Sequence, residues 1–414
     1  MDIDRLKGIE RALVVKNGVN VGTLERTTHG AVFRYDPKWS GDGIAYSMPP
    51  TRREYAVQGE NLHPFFANLL PEGRRLTALV KAVKTSADDL FSLFIAAGSD
   101  TIGDVSVQIE GAPKPRDLSV PHDLSQVNFM ELFERSISAS TVEERARDVS
   151  TSGVQPKVSA AMISFPVSLW KRGPSLLKLD PPEYPGLVKN EHFFLTAAKL
   201  SGLNTPDHAI VHDRDGKEGL LVKRFDRILK RGASIGSIHQ EDGCQLLDRY
   251  PSEKYRISTS TLVEALCNVV SAPIIETLLF LRLLAFSYLI GNGDLHAKNV
   301  SVATDPTTGR IRLTPAYDLV STIPYGDTKM ALEFEGRTDN ISRSDFIAFA
   351  GRFDLRAPAV EAMLDEVLAA TTEWRPRLKE LALPSKRLQQ LSQSIDKRTG
   401  DLMYKRKTTA PSRE

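Results

Sequence analysis

A chain of 414 residues exceeds one ordinary domain of roughly 100–200 residues, so several units are expected. Hydrophobic residues at 41%, charged at 26% and aromatic at 7% are the balance of a globular protein and exclude a wholly disordered or fibrous chain. Lys and Arg number 54 against 52 Asp and Glu, so the net charge of +2 carries no global signature of a nucleic-acid binder; any such contact is local.

The opening segment MDIDRLKGIE lacks the basic-then-apolar order of a signal peptide. The most apolar stretch, residues 273–290, contains Glu276 and Arg282 and reads as a buried helix, not a membrane span. The expectation is a cytoplasmic protein with no membrane association. Cys244 and Cys267 are far apart and outside any Cys/His cluster, which predicts two reduced thiols and neither a disulfide framework nor a zinc site.

Apolar runs at 12–15 and 19–24 flank Asn17-Gly18, a pair that tolerates the positive φ of a tight hairpin turn, so the chain opens in β-structure. Phe65-Phe66, Leu69-Leu70 and the run 90–97 follow helical spacing, which predicts an α+β module over residues 1–120. The Pro-rich polar stretch from Gly111 to near Pro121 is its linker. Short β-type runs follow at 158–164, 175–179, 209–212 and 220–224, interrupted by a helix near 190–200 with Gly202 just past its end. They place a second, β-rich segment at 121–226. Runs 260–270 and 273–290 are too long and continuous for half-buried strands, so 227–414 is expected to be helical, with basic clusters Lys386-Arg387, Lys397-Arg398 and Lys405-Arg406-Lys407 towards its end.

The most specific segment is Gly291-Asn-Gly-Asp-Leu-His-Ala-Lys-Asn299, directly after the apolar helix. Asp294 and Asn299 stand in the D-x-x-x-x-N spacing that gives one loop both a carboxylate to accept a hydroxyl proton and an oxygen ligand for magnesium. Downstream, Asp318 ends a short strand where a second, metal-bridging carboxylate is required. The alternative is a pair of acidic loop residues capping turns. Upstream, Lys178 in Ser175-Leu-Leu-Lys-Leu179 is either an edge-strand gatekeeper or a phosphate-contacting lysine, with Glu191 on the next helix as its partner. The small-residue loop Ser150-Thr-Ser152-Gly153-Val154-Gln155-Pro156-Lys157 is either a surface turn or a cradle whose N–H groups cover phosphates. Residues 221–227 close a strand and form the natural connector between a β-rich and a helical part.

Together these segments resemble the HipA family of toxin serine/threonine kinases over nearly the whole chain. The similarity is carried by Ser152-Gly-Val-Gln-Pro-Lys157, Leu177-Lys-Leu179 with Asn190-Glu191, Val222-Lys-Arg-Phe-Asp-Arg227, Gln240-Glu-Asp242, the 291–299 loop and Tyr317-Asp318. Phe33-Arg-Tyr-Asp-Pro37, Phe65-Phe-Ala-Asn-Leu-Leu-Pro71 and Ile102-Gly-Asp104 are similar to the family's first subdomain. The resemblance implies an α+β, two-lobed protein-kinase-like fold, with a β-rich N-terminal lobe ending near 226 and a helical C-terminal lobe. It implies ATP and Mg2+ as cofactors, Asp294 as general base, Lys178 as the phosphate lysine supported by Glu191, and Asn299 and Asp318 as magnesium ligands. Ser152 to Lys157, Lys223, Arg224, Phe225, Asp226, His296, Lys298 and Tyr317 would line the nucleotide site. It further implies inhibitory autophosphorylation at Ser150, with Ser152 as the rival, since a phosphate adds roughly −1.5 to −2 charges beside a loop meant for ATP phosphates.

The partners so implied are a DNA-binding antitoxin (HipB-like), operator DNA contacted mainly through that antitoxin, and a protein substrate for which an aminoacyl-tRNA synthetase is the family precedent. Two other functions share parts of this pattern: a non-catalytic antitoxin-binding corepressor and a small-molecule kinase. An intact Lys178, Asp294, Asn299 and Asp318 argues against the first, and phosphate on the chain's own Ser150 would favour a protein acceptor over the second.

Overall fold

The structure is a computed structural model and describes residues 8–28, 30–59, 62–98, 101–111, 119–120, 123–140, 161–169, 173–229 and 235–403. The chain divides into two compact units. One comprises Met1–Val188, Pro206–Lys254 and Ser301–Thr314; the other comprises Lys189–Thr205, Tyr255–Val300 and Pro315–Glu414. The architecture is α+β and two-lobed, with the strands in the first unit.

The first unit opens with β1 (Arg11–Lys16) and β2 (Val19–Thr27), joined through Asn17 at φ 50° and Gly18 at φ 83°. That is the left-handed turn the Asn-Gly pair predicts. β3 (Gly30–Tyr35), β4 (Glu54–Gln58) and β5 (Val105–Gln108) complete an antiparallel sheet in the order β4-β3-β2-β1-β5. Helices α1 (Pro64–Ala67), α2 (Gly73–Val83) and α3 (Leu90–Ala97) precede β5. Leu24, Phe33, Phe65, Phe66 and Phe94 share the resulting core, with the rings of Phe33, Phe65 and Phe94 each 5.3–5.7 Å from that of Phe66.

The second sheet has the order β6-β7-β8-β10-β9, from β6 (Ser119–Val120), β7 (Ile163–Leu169), β8 (Gly173–Leu179), β9 (His208–His212) and β10 (Glu218–Lys223). Helix α4 (Phe129–Ser140) contributes Phe129 and Leu132 to a core with Phe165, Leu177, Leu179 and Leu221. β7 begins at Ile163, later than the apolar run at 158–164 implies; residues 141–160 lie outside the described residues. After β8 the chain runs through α5 (Leu187–Leu200), most of which belongs to the second unit, and Gly202 at φ 79° follows its end. A ribbon of β11 (Arg227–Leu229) and β12 (Ile235–Ser237), and a three-stranded sheet of β13 (Gln240–Asp242), β14 (Ser301–Thr304) and β15 (Ile311–Leu313), complete the unit. Asp242 caps the short α6 (Gly243–Leu246) in a capping box with Gln245.

The second unit is helical among the described residues: α7 (Thr259–Val269), α8 (Pro273–Ile290), α9 (Arg343–Gly351), α10 (Ala357–Trp374) and α11 (Ser385–Met403), besides α5. α8 is apolar on nearly every face because other helices surround it, as a central helix requires. Trp374 meets Phe194 of α5 and Phe286 of α8 edge-on, each at 6.2 Å. By length and composition α8 could cross a membrane, yet 67% of it is buried in the fold. Both cysteines are free thiols, Cys244 buried and Cys267 half-buried.

Candidate active site

Helix α8 stops at Gly291, whose φ of 67° lets its N–H satisfy the carbonyls of Ser287 and Tyr288 and turns the chain into the 291–299 loop. The loop is then held by its own backbone. Asp294 is fully buried; its N–H donates to Asn292 Oδ1 (3.0 Å), and its carbonyl accepts from the His296 N–H (2.9 Å) and Asn299 Nδ2 (2.9 Å). Gly293 N donates to Thr322 Oγ1 (2.9 Å), a hydroxyl 3.1 Å from Gly291 O and 2.8 Å from Asp327 O. The Asp294 side chain is gripped as well, because Tyr255 Oη donates to its Oδ1 at 2.8 Å.

The segment carrying Asp318 is held on both sides, to this loop and to α5. Tyr317 Oη donates to Lys298 O (2.7 Å), next to Asn299. Three residues past Asp318, Asn190 of α5 clamps Ser321 through both of its amide atoms: Nδ2 donates to Ser321 O (3.0 Å), and Oδ1 accepts from Ser321 N (2.8 Å). Asp318 itself sits at φ 53°, a conformation that Asp tolerates better than most residues. The unit thus brings Asp294, His296, Lys298, Asn299 and Tyr317 into one hydrogen-bonded set, with Asp318 next to Tyr317 in the chain and Glu191 buried one residue from the Asn190 clamp.

These residues fit a magnesium ion. With Nδ2 of Asn299 committed to the Asp294 carbonyl, its Oδ1 is the atom left to act as a ligand, and Asp318 supplies a carboxylate. Two hard oxygen ligands completed by substrate phosphates and water are the usual protein share of a magnesium site. Among the described residues there is no cluster of three or more His, Cys, Asp or Glu side chains arranged for a metal.

In the first unit, Lys178 is buried on β8, paired to Ser164 of β7 on one side and Leu220 of β10 on the other. A strand with partners on both sides is not an edge, so the gatekeeper alternative does not apply. Lys223 is exposed beside Asp207 (3.7 Å), and Phe225 is half-buried. Arg224 and Asp226 are engaged by protein: Arg224 Nε and Nη2 donate to Asp226 Oδ1 and Oδ2 (3.0 and 2.7 Å), Arg227 Nη1 donates to Asp226 Oδ2 (2.6 Å), and the Gly103 N–H donates to the same oxygen (3.0 Å). Both guanidinium groups also donate to Thr101 O. Burial pushes the Asp226 carboxyl up, but these cations and the N–H outweigh it and hold the group below its ordinary value. The turn 101–103 and the connector are therefore one structural knot. Ser150 and Ser152 to Lys157 lie outside the described residues.

Sequence reasoning missed two groups. Tyr255, one of two tyrosines in the polar stretch 249–256, carried no spacing signal for its contact with Asp294. The other is a buried network in the first unit. His239 faces Asp104 Oδ1 with Nδ1 (2.8 Å) and Glu241 Oε1 with Nε2 (2.9 Å), while Lys16 Nζ lies 3.0 Å from Asp104 Oδ2. Its members are far apart in sequence, and only the folded sheet assembles them.

Residues 149–374 match the HipA-like C-terminal domain family, and residues 12–108 match the HipA N-terminal domain family. The chain is 27% identical to the putative kinase Y4mE of Sinorhizobium fredii across 92% of its own length and 95% of the relative's. It is 27% identical to the serine/threonine-protein kinase toxin HipA of Shewanella oneidensis across 79% of each. Among solved structures, the HipA, HipB and operator DNA complex of Shewanella oneidensis contains a chain of the same fold, with a TM-score of 0.72 at 22% identity, covering 95% of this chain and 97% of that one.

Proposed function

The chain belongs to the HipA family, and from that premise we propose that it is a serine/threonine protein kinase that moves the γ-phosphoryl group of ATP to a protein hydroxyl and is held in check by a DNA-binding antitoxin of the HipB type. The observation that carries the kinase reading is the hydrogen-bonded set in the second unit, which supports a carboxylate, an amide and a second carboxylate on one loop framework. Asp294 is the general base for the acceptor hydroxyl. Asn299 and Asp318 would hold Mg2+, whose charge offsets that building on the phosphate oxygens. Lys178, with Glu191, is the phosphate-binding pair; Lys223, Phe225, His296 and Lys298 are nucleotide contacts. Arg224 and Asp226 shape the connector through their mutual ion pair, and Tyr317 holds the Lys298 carbonyl.

Autophosphorylation at Ser150, with Ser152 as the rival acceptor, is the proposed off-switch. The protein substrate follows the family precedent of an aminoacyl-tRNA synthetase, in the cytoplasm. Operator DNA is contacted through the antitoxin, with Lys386 and Arg387, both exposed in the first turn of α11, as the candidate direct contacts. Lys397 pairs with Asp339 (2.9 Å), and Arg398 is buried, bonded to Tyr288 O (2.7 Å) and Thr328 O (2.5 Å). Arg398 is therefore a core residue and no part of a DNA surface.

The test compares Asp294→Asn with Asp318→Asn in full-length protein. Both should lose phosphoryl transfer from ATP by at least about a hundredfold. Calorimetric titration should find magnesium-ATP binding kept in Asp294→Asn and weakened in Asp318→Asn. Full activity in either variant would reject the assignment.

A further inference from the structure

Tyr255 stands outside the chemistry assigned above, yet it makes the contact nearest to that chemistry's centre. Its hydroxyl lies 2.8 Å from Asp294 Oδ1. An ionised carboxylate can only accept, so the phenol is the donor. The ring is fixed independently of that bond: it meets the His296 ring edge-on at 4.9 Å with an interplanar angle of 77°. The chain is anchored just beyond it, where Ser258 bridges to Glu333 and Thr259 N donates to Glu333 O (3.0 Å). The hydroxyl is thus delivered by an aromatic body with its own seat, and the catalytic loop supplies the other side of that seat through His296.

We propose that Tyr255 is a positioning residue for the phosphoryl-transfer base: its hydroxyl holds Asp294 Oδ1, and so fixes the rotation of the carboxylate about its Cβ–Cγ bond and the direction in which Oδ2 faces. The backbone bonds of Asp294 hold the loop, and the Tyr255 hydroxyl holds one oxygen of its carboxylate. The inference rests on the kinase reading of Asp294. In the step it serves, the acceptor hydroxyl gives its proton to Asp294 Oδ2 as its oxygen bonds to the γ-phosphorus. The bond from that phosphorus to the bridging oxygen breaks, and ADP leaves with the electron pair. Tyr255 keeps its own proton throughout, and Asp294 returns the captured proton to solvent afterwards.

The test uses full-length wild type and Tyr255→Phe, which retains the ring on His296 and removes only the oxygen. Initial rates with magnesium-ATP and a protein acceptor at a single neutral pH give kcat and KM. The expected result is kcat lower by about tenfold or more with KM for ATP unchanged. The carbon-13 resonance of the Asp294 carboxylate at that same pH needs no turnover and should shift when the Tyr255 hydroxyl is removed. If kcat stays at the wild-type value, or falls with the carboxylate resonance in place, Tyr255 does not position the base. If the carboxylate resonance shifts but the wild type transfers no phosphate, the Tyr255 contact stands and the kinase reading fails.

Discussion

Gly291 and Gly293 show how much of the 291–299 loop depends on the absence of a side chain. At Gly291 the backbone is left-handed, and a Cβ would sit 2.1 Å from Ile323 Cδ1. At Gly293 the φ is ordinary, but a Cβ would come within 2.6 Å of Thr322 Oγ1 and 2.7 Å of Lys329 O. Gly291→Ala combines a strained φ with an overlap in a packed core and should destabilise the protein by about 2–4 kcal/mol in urea unfolding. Gly293→Ala meets a hydroxyl and a carbonyl that brace the loop, so its larger effect should be on phosphoryl transfer, with the unfolding midpoint less changed. A Gly291→Ala protein as stable as wild type would show that the loop has another way round Ile323.

Among the elements, the connector after β10 carries the most concentrated ion pairing. Arg224, Asp226 and Arg227 are all largely buried, and Asp226 receives four donors from two guanidinium groups and the Gly103 N–H. Such a knot adds little net stability over an apolar replacement, but removing one partner strands the others without compensation. Asp226→Ala should therefore cost about 3–5 kcal/mol in unfolding free energy, whereas Lys223→Ala, an exposed neighbour of an exposed Asp207, should cost about 0–1 kcal/mol. Equal unfolding midpoints in the two variants would contradict the structural role of Asp226. α11 separates its basic residues in the same way: Lys386 and Arg387 are exposed, while Arg398 is locked under the Tyr288 ring at 4.9 Å and serves packing.

For the whole molecule, the network of Lys16, Asp104, His239 and Glu241 predicts a pH dependence with a definite sign. Both ring nitrogens of His239 face carboxylate oxygens, with Lys16 Nζ also 3.0 Å from Nδ1, and with an imidazolium the four groups sum to zero charge. Burial and Lys16 push His239 down, but its bonds to Asp104 and Glu241 outweigh them and raise it above 6.5. Asp104 is raised by burial and lowered more by His239 and Lys16, ending below 3.8. A raised histidine contributes stability that is complete below its unfolded value and lost as pH climbs through the folded one. A lowered carboxyl contributes stability that is complete above its unfolded value and lost as pH falls through the folded one. The network's contribution is therefore greatest between about pH 4 and about pH 6.5 and declines on both sides. Thermal unfolding of the full chain should show that decline on the alkaline side, and His239→Gln should be less stable and flatter there. A variant that kept the wild-type slope above pH 6.5 would place its source elsewhere.

What the sequence by itself determined was local and periodic. The Asn17-Gly18 hairpin, the extent of α8, the helix before Gly202 and the strand ending near Leu313 each follow from turn chemistry or apolar spacing within a few residues, and the structure carries each of them. The D-x-x-x-x-N spacing of Asp294 and Asn299 is local for the same reason, since both lie on one loop, while Asp318 stands five residues beyond β15. Whether Lys178 lay at an edge could not be decided locally, because an edge is defined by neighbours that arrive from elsewhere in the chain; β7 and β10 settle it. The grip of Tyr255 on Asp294, the clamp of Asn190 on Ser321 and the pairing of Lys16 and Asp104 with His239 likewise belong to tertiary structure. Each joins groups 39 to 223 positions apart that are common in any sequence, and only burial makes their partners obligatory.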